Sequence, residues 1–307
     1  MPKITVIGAG NVGAECAKKL AEKNLGEIVL LDIVEGLPQG KALDMQQSGP
    51  VCGFDSSIRG TNDYKDTAGS DLVVITSGLA RKPGMSRDDL LQKNADIIRS
   101  VVSQAATQSP NAVLLMVANP LDAMTYLAWK VSTFPARRVL GMAPLLDAAR
   151  MATFIAMELK VSRKAVNAMV LGTHGDLMVP IPRLSTVNSK PLTQLLSKEK
   201  IDAIINRTAN GGAEIVNFLK TGSAYYAPGD CAAYMAEAII KDKKETILTC
   251  AYVDGKYELK DIYIGVPAVL GKGGVEEVVE LELTAEEKAR LKKSAESIRE
   301  NIGKLGY

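Results

Sequence analysis

The residues of this chain best suited to chemistry are a histidine, an aspartate and an arginine. His174 is the single histidine among 307 residues and lies in VLGTHGDLMVP, residues 170–180. Asp147 and Arg150 are three residues apart in LLDAARM, a spacing that puts them on one side of a helix. Reversible reduction of an α-keto acid needs such a set. The arginine would bind the carboxylate, the imidazolium would give a proton to the ketone, and the aspartate would orient the imidazolium.

These three residues also have simpler interpretations. A lone histidine is more often an ordinary surface or core residue than a catalyst. An aspartate and an arginine at this spacing are commonly an ion pair on a helix surface. The rest of the sequence has to decide between the two interpretations.

A glycine-rich segment near the N-terminus could hold a dinucleotide. GAGNVG contains Gly8, Gly10 and Gly13, with Asn11 and Val12 between them, directly after a strand-like run. The first two glycines permit a tight turn and close approach of a pyrophosphate to a helix N-terminus, and the third allows helix and strand to pack closely. The motif is weak alone and moderately specific in this context; the alternative is a turn shaped only for packing.

Asp32 ends the next strand-like run, nineteen residues after Gly13. A carboxylate there can accept hydrogen bonds from both ribose hydroxyls of an adenosine, and its charge would repel a 2′-phosphate. The spacing therefore predicts NAD rather than NADP as cofactor. The alternative is that Asp32 only caps the following turn.

The elements that must position these residues alternate between short β-rich runs and helical patterns in the first half of the chain. Six predicted strands, typical of a doubly wound parallel sheet, are residues 3–10, 27–33, 56–60, 71–78, 111–120 and 137–143. After residue 143 we expect an α+β domain with a helical stretch over about 202–219 and hairpins at Asp254-Gly255 and 271–274. Thr284 and Glu287 have capping-box spacing and predict a closing helix. The predicted units are a Rossmann domain, 1–143, and a substrate domain, 144–307.

Composition narrows the class of ligand. The formal net charge of +2 gives no reason to expect nucleic acid or an anionic membrane as partner, and no apolar run reaches the length of a membrane span. The four cysteines are widely spaced, which favours reduced thiols in the cytoplasm and indicates no metal site. We expect a small-molecule ligand.

Six segments, in order, resemble the lactate/malate dehydrogenase family: GAGNVG, LLDIVEGLPQGKALD, SGLARKPGMSRDDLL, ANPLDAMTY, LLDAAR and LGTHGD. The resemblance extends from residue 3 to about residue 303. It is closest to the malate dehydrogenases built on the lactate dehydrogenase plan, and it implies a homotetramer or homodimer. Three positions differ from the expected pattern: Ala118, Pro144 and Thr173.

The resemblance also implies roles for individual residues. His174 would be the proton donor and acceptor, Asp147 its carboxylate partner, Arg150 the ligand of the substrate α-carboxylate and Arg87 the group that polarises the ketone. Further positions implied to contact cofactor or substrate are Asn94, Val117 and Asn119.

The segment from Gly78 to Met85 resembles the family's mobile loop over the substrate. Within it, Arg81 matches the position at which malate dehydrogenases carry arginine and lactate dehydrogenases glutamine, and Lys82 is the competing candidate. The implied reaction is NAD-dependent interconversion of malate and oxaloacetate. The alternatives are a lactate or other 2-hydroxy-acid dehydrogenase and a catalytically silent dinucleotide-binding module; the latter would bind NADH without turnover.

Overall fold

The computed structural model describes residues 1–79 and 86–307, and in this part of the chain it has fourteen strands and nine α-helices. The strands are β1 (Lys3–Ile7), β2 (Glu27–Leu31), β3 (Ile58–Thr61), β4 (Leu72–Ile75), β5 (Val113–Met116), β6 (Val139–Gly141), β7 (Val166–Asn167), β8 (Val170–Gly172), β9 (Met178–Pro180), β10 (Thr186–Val187), β11 (Lys190–Pro191), β12 (Glu245–Val253), β13 (Ile262–Gly271) and β14 (Gly274–Val278). The helices are α1 (Asn11–Glu22), α2 (Leu37–Cys52), α3 (Arg87–Gln108), α4 (Leu121–Ser132), α5 (Ala143–Leu159), α6 (Lys198–Ala209), α7 (Gly211–Leu219), α8 (Tyr226–Ile240) and α9 (Ala285–Lys304).

The first six strands form the predicted doubly wound sheet. Their order is β3-β2-β1-β4-β5-β6, and every pair is parallel. All residues of β4 and β5 are buried, as expected for strands covered by helices on both faces. In five of the six predicted runs the strand stops two to four residues before the predicted end. The residues beyond these strand ends form loops at the carboxyl edge of the sheet, where ligands bind in this architecture.

The sheet does not end at β6. Strand β12 pairs antiparallel with β6, and the order continues through β13, β8 and β9, with β14 paired to β13. A separate small sheet has the order β11-β10-β7. Buried apolar residues from both halves of the chain, from Ile4 to Leu305, form one cluster. The two halves therefore share a sheet and a core.

One prediction in the second half needs correction. The stretch 202–219 is not one helix: α6 ends at Ala209 and α7 begins at Gly211, because the Asn210-Gly211-Gly212 run breaks the helical path. β12 and β13 form the hairpin predicted at Asp254-Gly255. The connection spans residues 254–261 and contains a short 3-10 turn, Lys256–Glu258.

The second hairpin and the closing helix are confirmed. Gly271 pairs with Gly274 across a two-residue turn. The Thr284 hydroxyl accepts from the backbone of Glu287, and the Glu287 carboxylate accepts from the backbone of Thr284, so both halves of the capping box form. Among the described helices, none is both long and apolar enough to cross a membrane.

Candidate active site

A cavity of about 430 Å³ lies where the carboxyl edge of the parallel strands meets the second half of the chain. It brings together five residues that the sequence singled out: Val12, Val117, Asn119, Arg150 and His174. They come from α1, the loop after β5, α5 and the loop after β8. The fold therefore joins the glycine-rich segment and the histidine, which are more than 150 residues apart, in one space.

His174 is held from one side by Asp147. The imidazole Nδ1 lies 2.9 Å from Asp147 Oδ2, with 22% of the histidine side chain and 3% of the aspartate side chain exposed. Because Asp147 occupies Nδ1, the other ring nitrogen, Nε2, is the one that can exchange a proton with a ligand in the cavity. This arrangement is that of a general acid–base with its orienting carboxylate.

The electrostatics of the pair favour the imidazolium. Burial lowers the pKa of His174, but the charge of Asp147 and its hydrogen bond raise it, and the net direction is upward. Arg150 opposes this rise and Asp122 adds to it. A proton is therefore available on the ring at a higher pH than on an unperturbed histidine.

Arg150 is not part of a helix-surface ion pair. Its side chain is 15% exposed, and Nη1 lies 3.6 Å from Asp147 Oδ1. A Cβ added at Gly211 would lie 3.3 Å from Arg150 Cδ, and one added at Gly212 would lie 3.5 Å from Nη2. The break between α6 and α7 thus packs against the side chain of Arg150, whose guanidinium lines the cavity and can bind a carboxylate there.

The glycine-rich turn has the shape that a dinucleotide requires. A Cβ at Gly8, whose φ is +107°, would come 2.6 Å from Thr76 Oγ1, and a Cβ at Gly13 would come 1.8 Å from the Gly8 carbonyl oxygen. No described atom lies within 4 Å of the Cβ position at Gly10, so this face is open to a ligand. α1 begins at Asn11 without a side-chain cap or an acidic residue in its first turn, which suits binding of a pyrophosphate.

Asp32 reaches back to this turn. Its Oδ2 accepts from the Ala9 backbone N–H at 2.6 Å and its Oδ1 from that of Val34 at 3.0 Å. The residue does cap the following turn, as the alternative interpretation proposed. A carboxylate has about four acceptor positions, so the two hydrogen bonds leave capacity for ribose hydroxyls.

Asn94 occupies a different position from the other predicted cofactor contacts. It is fully buried. Its Oδ1 accepts a hydrogen bond from the Leu79 backbone N–H at 2.7 Å, and its Nδ2 donates to the Leu79 carbonyl at 3.2 Å. It also donates to the Asn119 carbonyl at 2.7 Å. In this structure Asn94 therefore holds the backbone of Asn119 in place.

Three predicted residues cannot be placed in the site. Arg81 and Lys82 lie outside the described residues. Arg87 opens α3, but its side chain is likewise outside what the structure describes. Their roles remain predictions from the sequence.

Two parts of the site were missed by sequence reasoning. Asn210, Gly212, Ala213 and Val216 line the cavity, and the Asn-Gly-Gly run inside a helical pattern was the signal that could have found them. The second missed part is Asp122, whose carboxylate accepts a hydrogen bond from the His174 backbone N–H. It belongs to the quoted ANPLDAMTY segment, but no local pattern distinguishes it from a helix-start residue.

Comparison with known proteins agrees with the geometry. The family model described as lactate/malate dehydrogenase, NAD binding domain, matches residues 2–141, and the model for the alpha/beta C-terminal domain of that family matches residues 145–306. A malate dehydrogenase from Roseiflexus sp. is 58% identical over 304 residues, covering 99% of this chain and 98% of the relative.

Solved structures give the same result. The malate dehydrogenase from Salinibacter ruber has a TM-score of 0.95 and 50% identity, with 99% of this chain and 97% of that chain covered. The lactate dehydrogenase from Cryptosporidium parvum, complexed with lactic acid and nicotinamide adenine dinucleotide, has a TM-score of 0.96 and 42% identity, with 99% and 98% covered. The fold alone thus accommodates both enzymes, and the chain belongs to the lactate/malate dehydrogenase family.

Proposed function

We propose that this chain is an NAD-dependent malate dehydrogenase that interconverts (S)-malate and oxaloacetate. The observation that carries the proposal is the pairing of His174 with Asp147 beside Arg150 in one cavity with the dinucleotide turn. The curated relative from Roseiflexus sp., which matches almost the whole chain, carries the same activity in its name.

In the proposed reaction, each residue acts on one part of the substrate. Arg150 binds the α-carboxylate, and Arg87 polarises the C2 oxygen. His174 Nε2 gives a proton to that oxygen during oxaloacetate reduction and removes it during malate oxidation, while Asp147 stabilises the imidazolium. When bound, NAD supplies the hydride exchange at C2. Gly8, Gly10, Gly13 and Asp32 would hold it.

The deciding experiment measures NADH oxidation with oxaloacetate and with pyruvate in parallel. A large preference for oxaloacetate supports malate dehydrogenase, whereas a preference for pyruvate supports the lactate dehydrogenase alternative. NADH binding without turnover of either substrate would support a silent binding module.

We expect NADH to be preferred to NADPH by about 10²-fold in kcat/KM, since placing two like charges together costs several kcal/mol. The charge responsible is Asp32, which accepts a hydrogen bond from the Ala9 backbone in the glycine turn. Asp32→Asn keeps one acceptor oxygen but removes the charge, and should narrow the preference. Equal kcat/KM for the two cofactors in the unaltered protein would contradict this assignment.

The two directions of the reaction should respond to pH with opposite sign. Oxaloacetate reduction needs the imidazolium and should decline as pH rises through the pKa of His174, which is raised chiefly by Asp147 against the effect of burial. Malate oxidation needs the neutral ring and should decline as pH falls through the same pKa. Asp147→Asn removes the negative charge that raises the pKa of His174, so the pH profiles of kcat/KM for both directions should move to lower pH. If kcat/KM for oxaloacetate reduction and kcat/KM for malate oxidation both decline on the same side of neutral pH, His174 is not the shared proton carrier.

We further propose residues 1–143 as the NAD-binding unit and 144–307 as the substrate unit, in a homotetramer or homodimer. The self-association is what the resemblance to the lactate/malate dehydrogenase family implies. The four free cysteines support a reducing, cytoplasmic location. Interconversion of malate and oxaloacetate is a reaction of the tricarboxylic acid cycle, which we propose as its setting.

A further inference from the structure

A buried carboxylate lies directly beneath the backbone that carries His174. Asp122, in the first turn of α4, is 4% exposed. Its Oδ2 accepts from the Thr173 hydroxyl at 2.6 Å and from the His174 backbone N–H at 3.2 Å. Its Oδ1 is buried without a hydrogen-bond partner among the described residues. The hydrogen bonds from Thr173 and His174 therefore tie this carboxylate to the loop that carries the imidazole.

The backbone of Thr173 is also hydrogen-bonded to a residue of α9. The Thr173 backbone N–H donates to Ser294 Oγ at 2.7 Å, and Ser294 is fully buried in α9. Gly172, with φ at +83°, has no room for a Cβ, which would lie 2.7 Å from that hydroxyl. The backbone at 172–174 is thus held by α4 and α9, while the imidazole ring is held by α5 through Asp147.

Thr173 has a distinct role in this arrangement. Burial raises the pKa of Asp122, and the largest opposing effect is the Thr173 hydrogen bond, followed by the Cys250 thiol and the His174 N–H. Cys250 faces the carboxylate from β12, and its own pKa is raised by burial and by Asp122, so it contributes no charge. The pKa of Asp122 is raised on balance, and the Thr173 hydroxyl is the largest of the effects that favour its ionised form.

The charge of Asp122 acts on the imidazole. Among the described residues, the charged groups that act on His174 include Asp147 and Arg150 from α5 and Asp122 from α4; the two carboxylates raise its pKa and the guanidinium lowers it. Asp176 lines the same cavity. Asp122 touches only the backbone N–H of His174, so its influence on the ring comes through position and charge.

We propose that Thr173 and Asp122 form a positioning pair for His174. The Thr173 hydroxyl and the His174 backbone N–H donate to the same carboxylate oxygen of Asp122, so Asp122 fixes the histidine backbone from α4 while Asp147 holds the ring from α5. This inference rests on the proposed role of His174 as proton carrier. Glycine at position 173 would have no hydroxyl and could not make this contact.

The test compares Thr173→Val, which keeps the shape but removes the donor, with Thr173→Ser, which keeps the donor. The pH dependence of kcat/KM is measured for oxaloacetate reduction and malate oxidation, together with kcat and KM. Thr173→Val should move both profiles to lower pH and lower kcat by about tenfold to 10²-fold, the scale of a displaced catalytic group. KM for oxaloacetate should change little, because Arg150 is untouched. Thr173→Ser should restore the profiles and kcat.

Asp122→Asn is the second variant, and it should move the profiles in the same direction. The double variant with Thr173→Val should shift the profiles no further than Asp122→Asn alone, because the Thr173 hydroxyl acts through the Asp122 carboxylate. If Asp122→Asn does not fold, as judged by NADH binding, the valine and serine pair decides alone. Profiles of Thr173→Val that coincide with those of the unaltered protein would overturn the positioning pair. Failure of the unaltered protein to turn over oxaloacetate would instead overturn the proposed function.

Discussion

His174→Asn should lower kcat for oxaloacetate reduction by about 10²-fold or more, the usual effect of losing a positioned acid–base group. Asparagine can still hydrogen-bond Asp147, but it cannot gain and lose a proton near neutral pH. The chain has no other histidine, so no second imidazole can take over the proton transfer. Steady-state kinetics in both directions measure the loss.

NADH binding is the control for this variant. The glycine turn and Asp32 belong to elements that do not depend on the imidazole, so the Kd for NADH from a fluorescence titration should stay nearly unchanged. An asparagine variant with near-normal kcat would remove His174 from the mechanism. A parallel loss of NADH affinity would mean that the substitution damages the site as a whole.

Arg81→Gln should produce the largest change in substrate choice. Oxaloacetate has a second carboxylate, and a carboxylate or guanidinium left unpaired in a water-excluded site costs several kcal/mol. With Arg150 on the first carboxylate and Arg87 on the ketone, Arg81 is the predicted partner of the second. The unaltered protein should therefore reject pyruvate by about 10³-fold or more in kcat/KM. Glutamine at position 81 should lower kcat/KM for oxaloacetate and raise it for pyruvate.

Lys82→Gln is the matched control, because it removes a neighbouring positive charge from the same segment. It should leave the ratio of the two kcat/KM values nearly unchanged. If Lys82→Gln alone shifts the ratio, or if Arg81→Gln reduces both substrates equally, another residue discriminates between the substrates. This prediction rests on the sequence, since both positions lie outside the described residues.

The parallel half of the sheet could be predicted because its signals are local. Most of its strands are short apolar runs, and β1, the glycine turn and α1 are consecutive in the chain. The antiparallel continuation could not be predicted in the same way. Gly141 pairs with Cys250, more than 100 residues away, and no local periodicity specifies which distant strand covers β6.

The residues of the candidate site also differ in whether local sequence reveals them. His174, Asp147 and Arg150 were found because their chemistry and spacing are visible in the sequence. Asp122 was not, because its significance depends on the proximity of α4 to the loop after β8. The sequence showed Thr173 only as an unexpected residue, and its hydroxyl acquires a partner only in the folded chain.

Strand β6 is an interior strand because β12 covers its outer edge. A fragment that stopped at residue 143 would expose that edge, and unpaired strand edges act as templates for pairing with other chains. The fragment would also uncover apolar residues that share one buried cluster with Cys250 and Ala251 in the intact molecule. The dinucleotide-binding half would therefore tend to aggregate by itself, and detaching it for use in a fusion protein would require a redesigned edge at Val139–Gly141.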